Sequence, residues 1–196
     1  TAPFASLLAS DLAIAKVGSA GKAPMFTEVR IVDEQNTPVA AGVHGEVCIK
    51  GPNVMKGYWN RPDATEDAIR DNWFHTGDAG YFDDEGYLYI HDRVKDMIVS
   101  GGENVYPAEV ENAIFGHPAI ADVAVIGIPD EKWGEAVKAV VVVKASTQAS
   151  ADDIIEFART RIAGFKVPKS IDFVEALPRN PSGKILRREL RAPYWE

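Results

Sequence analysis

A change of pattern near Asp92 constrains this chain more than any other feature. Before it, apolar and polar residues alternate in short runs, "FTEVRIV" (26–32) and "GEVCIKG" (45–51), parted by the turn cluster "DEQNTP" (33–38). Alternation at that period marks strands. Pro62 opens a short helix within 60–73 that ends near Asp71-Asn72. "GYFDDEGYLYIHDR" (80–93) reads as a hairpin turning on Asp83-Asp84-Glu85-Gly86. Residues 1–22 carry little signal.

Beyond Asp92 the pattern is mixed. "DMIVSGGENVY" (96–106) is two short apolar runs around Gly101-Gly102, which predicts a tight hairpin. "PAEVENAIFGHP" (107–118) has Pro at the first helical position and an acid in the first turn. Val110, Ala113 and Ile114 share one face, and Gly116 supplies a stop. "DVAVIGI" (122–128) and "AVKAVVVV" (136–143) are β-branched runs suited to pairing. Ser150 with Asp153 forms a capping box, and the helix it opens aligns Ile154, Ile155, Ala158 and Ile162. "SIDFVEAL" (170–177) is a third strand. The fold class is therefore α+β: a β-rich unit over 1–94, then a small α+β domain over 95–196 with a small sheet and flanking helices.

The 196 residues suffice for two small domains. A net charge of −8 argues against a general nucleic-acid or anionic-membrane surface, so any phosphate site must be local. The single cysteine, Cys48, excludes an internal disulfide and reads as a small core residue. This composition fits a reducing cytoplasm. No stretch approaches the ~18 apolar residues of a membrane helix. The histidines His44, His75, His91 and His117 show no metal-ligand spacing and read as structural or surface residues; no metal ligand is assigned. Neither a hydrolase nucleophile elbow nor a lysine-bearing phosphate loop is present.

Three polar segments call for an explanation. In "HTGD" (75–78), Gly77 lets the chain turn sharply and presents Asp78. A carboxylate so held can accept two hydrogen bonds, as vicinal ribose hydroxyls require. By spacing alone it also reads as a turn aspartate bonding its own backbone. In "HDRVKD" (91–96) charges of both signs sit where the pattern changes, as a solvated linker or as a hinge. In "NPSGKILRREL" (180–190), Lys184 follows a flexible Ser182-Gly183 turn and opens a short basic helix whose Arg187, Arg188 and Arg191 face solvent. An ammonium about 4 Å from an oxyanion is worth about 4 kcal/mol of raw Coulomb energy at an effective dielectric near 20. That helps when two anionic reactants must meet.

Taken together, "GEVCIKGPNVMKGYWNRPDAT", "WFHTGDAGYFDDEGYLYIHDRVKDMIVSGGENVYPAEVE" and "NPSGKILRREL" closely resemble the C-terminal portion of the acyl-CoA synthetases, in the adenylate-forming superfamily. The resemblance runs from about Gly18 onward. It implies that Asp78 and Arg93 hold the ribose of ATP and that Lys95 is the hinge. It implies that Val99, Ser100, Gly101, Gly102, Glu103 and Asn104 line a pantetheine channel, and that Lys184 is the mobile catalytic lysine. The implied reaction joins a carboxylic acid, of fatty type, to CoA through an acyl-adenylate, with AMP and pyrophosphate released. The alternatives are loading of a carrier-protein thiol, or a non-catalytic nucleotide-binding module. The "VSGGENVYP" loop favours CoA.

The resemblance also implies ATP and magnesium, with the magnesium ligands and the Ser/Thr/Gly-rich phosphate loop upstream of Thr1. The chain is accordingly expected to be the C-terminal part of a larger enzyme, inactive without its N-terminal part. The identity of the acid, the oligomeric state and any membrane association of the parent are not legible in these residues.

Overall fold

The computed structural model describes residues 2–195 and divides the chain into two compact units, the first ending at Lys95 and the second beginning at Asp96. Among the described residues, no helix is long and apolar enough to cross a membrane.

The first unit is built on one antiparallel sheet. Its strands are β1 (Ser19–Gly21), β2 (Glu28–Val32), β3 (Gly45–Lys50), β4 (Ile69–Arg70), β5 (Trp73–Phe82) and β6 (Leu88–Arg93). They lie in the order β1-β6-β5-β3-β2, with β4 against β5. Alternation places Ile31, Val47 and Leu88 in a core completed by Ala20, Val29, Val39 and Phe82. The turn after β5 forms as expected: Asp83 Oδ1 accepts the N–H groups of Glu85 and Tyr87. Lys16 reaches the same turn, its ammonium 2.8 Å from Asp83 and 2.6 Å from Glu85.

Two details differ from the sequence reading. The helix α1 (Pro62–Ala68) stops before Asp71-Asn72, because those two residues adopt left-handed backbone angles, φ 50° and 64°. Consecutive positive φ values form a tight hairpin turn, which joins β4 to β5. The "HTGD" segment is not a turn between elements; it lies inside the long strand β5. Cys48 pairs with His75 and Glu46 with Ala79, so β5 carries extra residues against β3 at this point. The segment is a bulge, which bends a strand and re-aims its side chains.

The second unit contains β7 (Ile98–Ser100), β8 (Glu103–Val105), α2 (Pro107–Phe115), β9 (Ile120–Asp130), β10 (Gly134–Val143), α3 (Ala151–Arg159), β11 (Ser170–Phe173) and α4 (Arg187–Arg191). Its sheet order is β11-β10-β7-β8, with β9 paired along β10. The third strand ends at Phe173 rather than Leu177, although Leu177 is buried. Both faces of the β9–β10 ladder are covered, which is why these strands read as continuous apolar runs. On one face Val123, Val125, Val137, Ala139 and Val141 pack against Val110 and Ile114 of α2 and Ile154 and Ala158 of α3. On the other, Ala124, Ile126 and Val140 meet Leu177, Ile185, Leu190 and Tyr194 of the C-terminal segment.

Local signals explain the helices. Pro107 stands at the start of α2, and Gly116 terminates it at an ordinary helical φ of −65°, so its left-handed freedom goes unused. Ser150 and Asp153 form both bonds of the capping box at α3. One charge enters the tail-covered face: Lys138 is 6% exposed and pairs with Asp172 at 2.6 Å, and Asp172 also accepts a hydrogen bond from the Tyr194 hydroxyl. A buried ammonium survives only when partnered in this way.

Candidate active site

In the first unit, the β5–β6 ladder places Asp78 directly opposite Arg93, and Arg93 Nη1 lies 3.2 Å from Asp78 Oδ1. Neither position depends on a flexible loop. The bulge fixes Asp78 further: the Thr76 hydroxyl accepts the Asp78 N–H at 3.0 Å and donates to the carbonyl of Val47. Gly77, at φ 70°, allows the bend, and a Cβ there would lie 3.1 Å from Arg93 Nη2. Its N–H is taken by Glu46 Oε1. The pair lines a cleft of about 330 Å³ with Tyr58, Thr76, Leu88 and Ile90. A lining that combines apolar side chains with a carboxylate and a guanidinium suits a ring-bearing polar ligand.

Behind the bulge sits a group the sequence reading treated as separate residues. His75 Nδ1 is 2.8 Å from Glu46 Oε2 and 3.3 Å from Cys48 Sγ. Burial pushes the Cys48 thiol up to about 11. Among the described residues, these three form the one group of three or more His, Cys, Asp or Glu side chains whose ligand atoms lie close enough together to hold a metal ion. Their separations are those of hydrogen bonds, and a buried thiol and an imidazole suit magnesium poorly, since it takes oxygen ligands. His44 and His91, far apart in sequence, also meet: their rings lie 4.7 Å apart beside Tyr81.

In the second unit, β7 and β8 form the expected hairpin over Gly101-Gly102, whose φ values of 63° and 85° make the tight turn. Gly101, Gly102, Glu103 and Asn104 are exposed at its tip, Val99 is 44% exposed, and Ser100 is buried. Lys95 lies in the helical turn Val94–Asp96, where the two units divide.

Lys184 is exposed. Two features of its setting differ from expectation. It does not open the helix, since α4 starts at Arg187. Nor is its turn loose. Asn180 Oδ1 accepts from Ser182 N, Ser182 Oγ and Lys184 N at 2.8–3.0 Å, and Asn180 N donates to the Lys184 carbonyl. Arg179 clamps the turn, donating to the Gly183 carbonyl and to Asp122 Oδ2, each at 2.6 Å.

Arg187 and Arg191 do not face solvent either. Arg187 pairs with Glu111 at 2.8 Å and with Asp96 at 3.8 Å, and Arg191 with Glu135 at 3.5 Å. Arg188 is exposed, as the sequence reading had it.

The sequence reading missed Thr76, Glu46, Asn180 and Arg179, which hold the candidate residues in place. An Asn followed three residues later by Gly was a signal for the Asn180 turn. Nothing local pointed to Glu46, whose partners lie 29 and 31 residues away.

Comparison with known proteins places these groups in context. Residues 109–184 match the family described as AMP-binding enzyme C-terminal domain, and residues 1–59 match AMP-binding enzyme. The chain is 54% identical over 189 residues to the long-chain-fatty-acid–CoA ligase FadD13 of Mycobacterium tuberculosis, covering 96% of this chain and 37% of that protein. It is 51% identical over 179 residues to a feruloyl-CoA synthase of Amycolatopsis sp., covering 91% of this chain and 36% of the relative. The o-succinylbenzoate CoA synthetase (MenE) of Bacillus subtilis, solved with its acyl-adenylate intermediate, superimposes with a TM-score of 0.89 at 41% identity. That likeness covers 95% of this chain and 38% of the synthetase. The same synthetase has been solved with ATP and magnesium, where the TM-score is 0.87 at 40% identity over the same shares of the two chains. The chain thus spans a little over a third of the length of its relatives. Matched in both units and along almost its whole length, it belongs to the AMP-binding, adenylate-forming enzymes.

Proposed function

We propose that the chain is the C-terminal portion of an AMP-forming acyl-CoA ligase, which joins a carboxylic acid to CoA at the expense of ATP. The observation that carries this reading is the Asp78–Arg93 pair, fixed across two strands and lining a cleft. Asp78 accepts from the ribose hydroxyls of ATP, and Arg93 orients that carboxylate. Similarity to FadD13 supports a fatty acid as the substrate.

In the first step a carboxylate oxygen of the acid attacks the α-phosphorus. The bond to the pyrophosphate oxygen breaks, and pyrophosphate leaves. Both reactants are anionic, and the Lys184 ammonium between them lowers the repulsion. In the second step the CoA sulfur, having given up its proton, attacks the acyl carbon. The bond to the AMP oxygen breaks, and AMP departs with that electron pair. The exposed glycine tip of the 98–105 hairpin lines the narrow path by which the thiol arrives. Because the Lys184 turn is tied to its own unit, Lys184 moves only with that unit, and Lys95 is the residue that absorbs the rotation. Magnesium accompanies ATP in these reactions, but the Glu46–Cys48–His75 group does not fit it.

The test uses the complete enzyme with ATP, CoA and a panel of aliphatic and aromatic acids. AMP, pyrophosphate and a CoA thioester should appear only when the right acid is present. Release of ADP, or acylation of a carrier protein but not of CoA, would contradict the reading. The chain alone should form no thioester.

A further inference from the structure

The 98–105 hairpin is thinly attached to the rest of its sheet. Strand β7 meets β10 in register at a single pair, Gly134 opposite Ser100. A hairpin held by one ladder position would leave its outward N–H groups without partners, so other groups must take them. The pair itself is held by the Gly101 N–H, which donates to the Trp133 carbonyl at 2.8 Å. The Val99 N–H finds its partner outside the ladder. Val99 N–H donates to Glu135 Oε2 at 2.8 Å, so a side chain stands in for the missing strand. The Trp133 ring lies against Gly101, where an added Cβ would come within 2.7 Å of it.

The other carboxylate oxygen of Glu135 faces Arg191 of α4 at 3.5 Å, and the Glu135 side chain is only 17% exposed. One turn earlier on the same helix, Arg187 bonds Glu111 and approaches Asp96, two residues before β7. Residues four apart lie on one face of a helix, so α4 approaches the hairpin twice, at Asp96 just before β7 and, through Glu135, at Val99. The same helix follows the turn that carries Lys184.

Resting on the ligase reading, we propose that Glu135 is a positioning residue for the thiol half-reaction. It fixes the Val99–Asn104 hairpin in its channel-lining shape and, through Arg191, joins that hairpin to the segment bearing Lys184. The hairpin that admits the thiol and the segment that carries Lys184 are thereby linked through one carboxylate.

The test uses the complete enzyme with Glu135→Asp, Glu135→Ala and Glu135→Gln. Asp keeps the charge but retracts the oxygen from Val99, while Gln keeps an acceptor at the same reach. Two rates are read: adenylation, by pyrophosphate exchange into ATP, and CoA-dependent consumption of preformed acyl-adenylate. Asp and Ala should slow the second on the order of tenfold or more and raise the KM for CoA, because small displacements of a positioning group are costly. Adenylation should stay within about threefold, and Gln should restore the second rate to within about threefold of wild type. If Ala fails to fold, Asp carries the same comparison.

Equal losses in both half-reactions, no loss in the second, or a Gln variant as poor as Ala would overturn the role of Glu135. A wild-type enzyme that makes neither adenylate nor thioester fails at the ligase reading itself, and the proposal falls with it.

Discussion

The two units hold their candidate catalytic groups by different means. In the first, Asp78 and Arg93 face each other across a strand pair, so the backbone ladder sets their separation. In the second, Lys184 stands on a turn held mainly by side chains, with Asn180 inside and Arg179 bracing it against Asp122. A ladder spreads the load over many bonds, whereas a turn depends on a few. A site that grips one part of a nucleotide throughout the reaction suits the first construction. A group that must arrive and leave with its unit suits the second.

That contrast can be broken or sharpened by substitution in the complete enzyme. The largest effect should come from Lys184→Ala. Removing a charge that acts on the transition state should cut adenylation on the order of 10²- to 10³-fold. Use of preformed acyl-adenylate should change by less than about threefold, since Lys184 has no part in thiol attack. Parallel losses in both rates would break the assignment.

Asn180→Ala comes next. It removes the acceptor for three donors of the turn. Adenylation should fall about tenfold, equivalent to about 1.4 kcal/mol, and Asn180→Asp should recover most of it. Thr76→Val makes the corresponding cut behind Asp78, leaving the Asp78 N–H without its partner. Here the ladder remains, so the loss in ATP affinity should be smaller, about threefold. A Thr76→Val effect larger than that of Asn180→Ala would reverse the comparison.

The smallest effect concerns the tail that supports Lys184. Burial pushes Asp172 up, but hydrogen bonds from Lys138 and Tyr194 outweigh it and hold the carboxyl below its usual range. A carboxyl lowered by folding contributes stability above its unfolded pKa of about 3.9 and loses it as pH falls further. The bond to Asp172 holds Tyr194 above its usual range, so its contribution is present below about pH 10 and fades above. Tyr194→Phe should therefore lower the melting temperature modestly near neutrality, by about 1 kcal/mol of stability. The gap from wild type should close in strong acid and strong alkali, and a gap independent of pH would show that it does not arise from the Tyr194–Asp172 bond.

Much of this was legible where the signal is local. Gly101-Gly102 between apolar runs gave the hairpin, Pro107 the start of α2, and Ser150 with Asp153 the cap of α3. The family resemblance singled out Asp78 and Arg93 as a pair, and the β5–β6 register sets them face to face. The misreadings share one cause. Gly77 looks the same in sequence whether it turns a chain or bends a strand, and only the pairing of β5 with β3 decides. Arg187 and Arg191 read as solvated helix charges because their partners, Glu111 and Glu135, lie 76 and 56 residues earlier. Long-range ion pairs of this kind leave no periodic trace in the chain.

The most direct test of the ribose assignment compares ATP with 2′-deoxy-ATP in the complete enzyme. If Asp78 grips the ribose hydroxyls, wild type should prefer ATP on the order of tenfold or more in kcat/KM, and Asp78→Ala should lose most of that preference. Equal use of the two nucleotides by the wild-type enzyme would contradict the account.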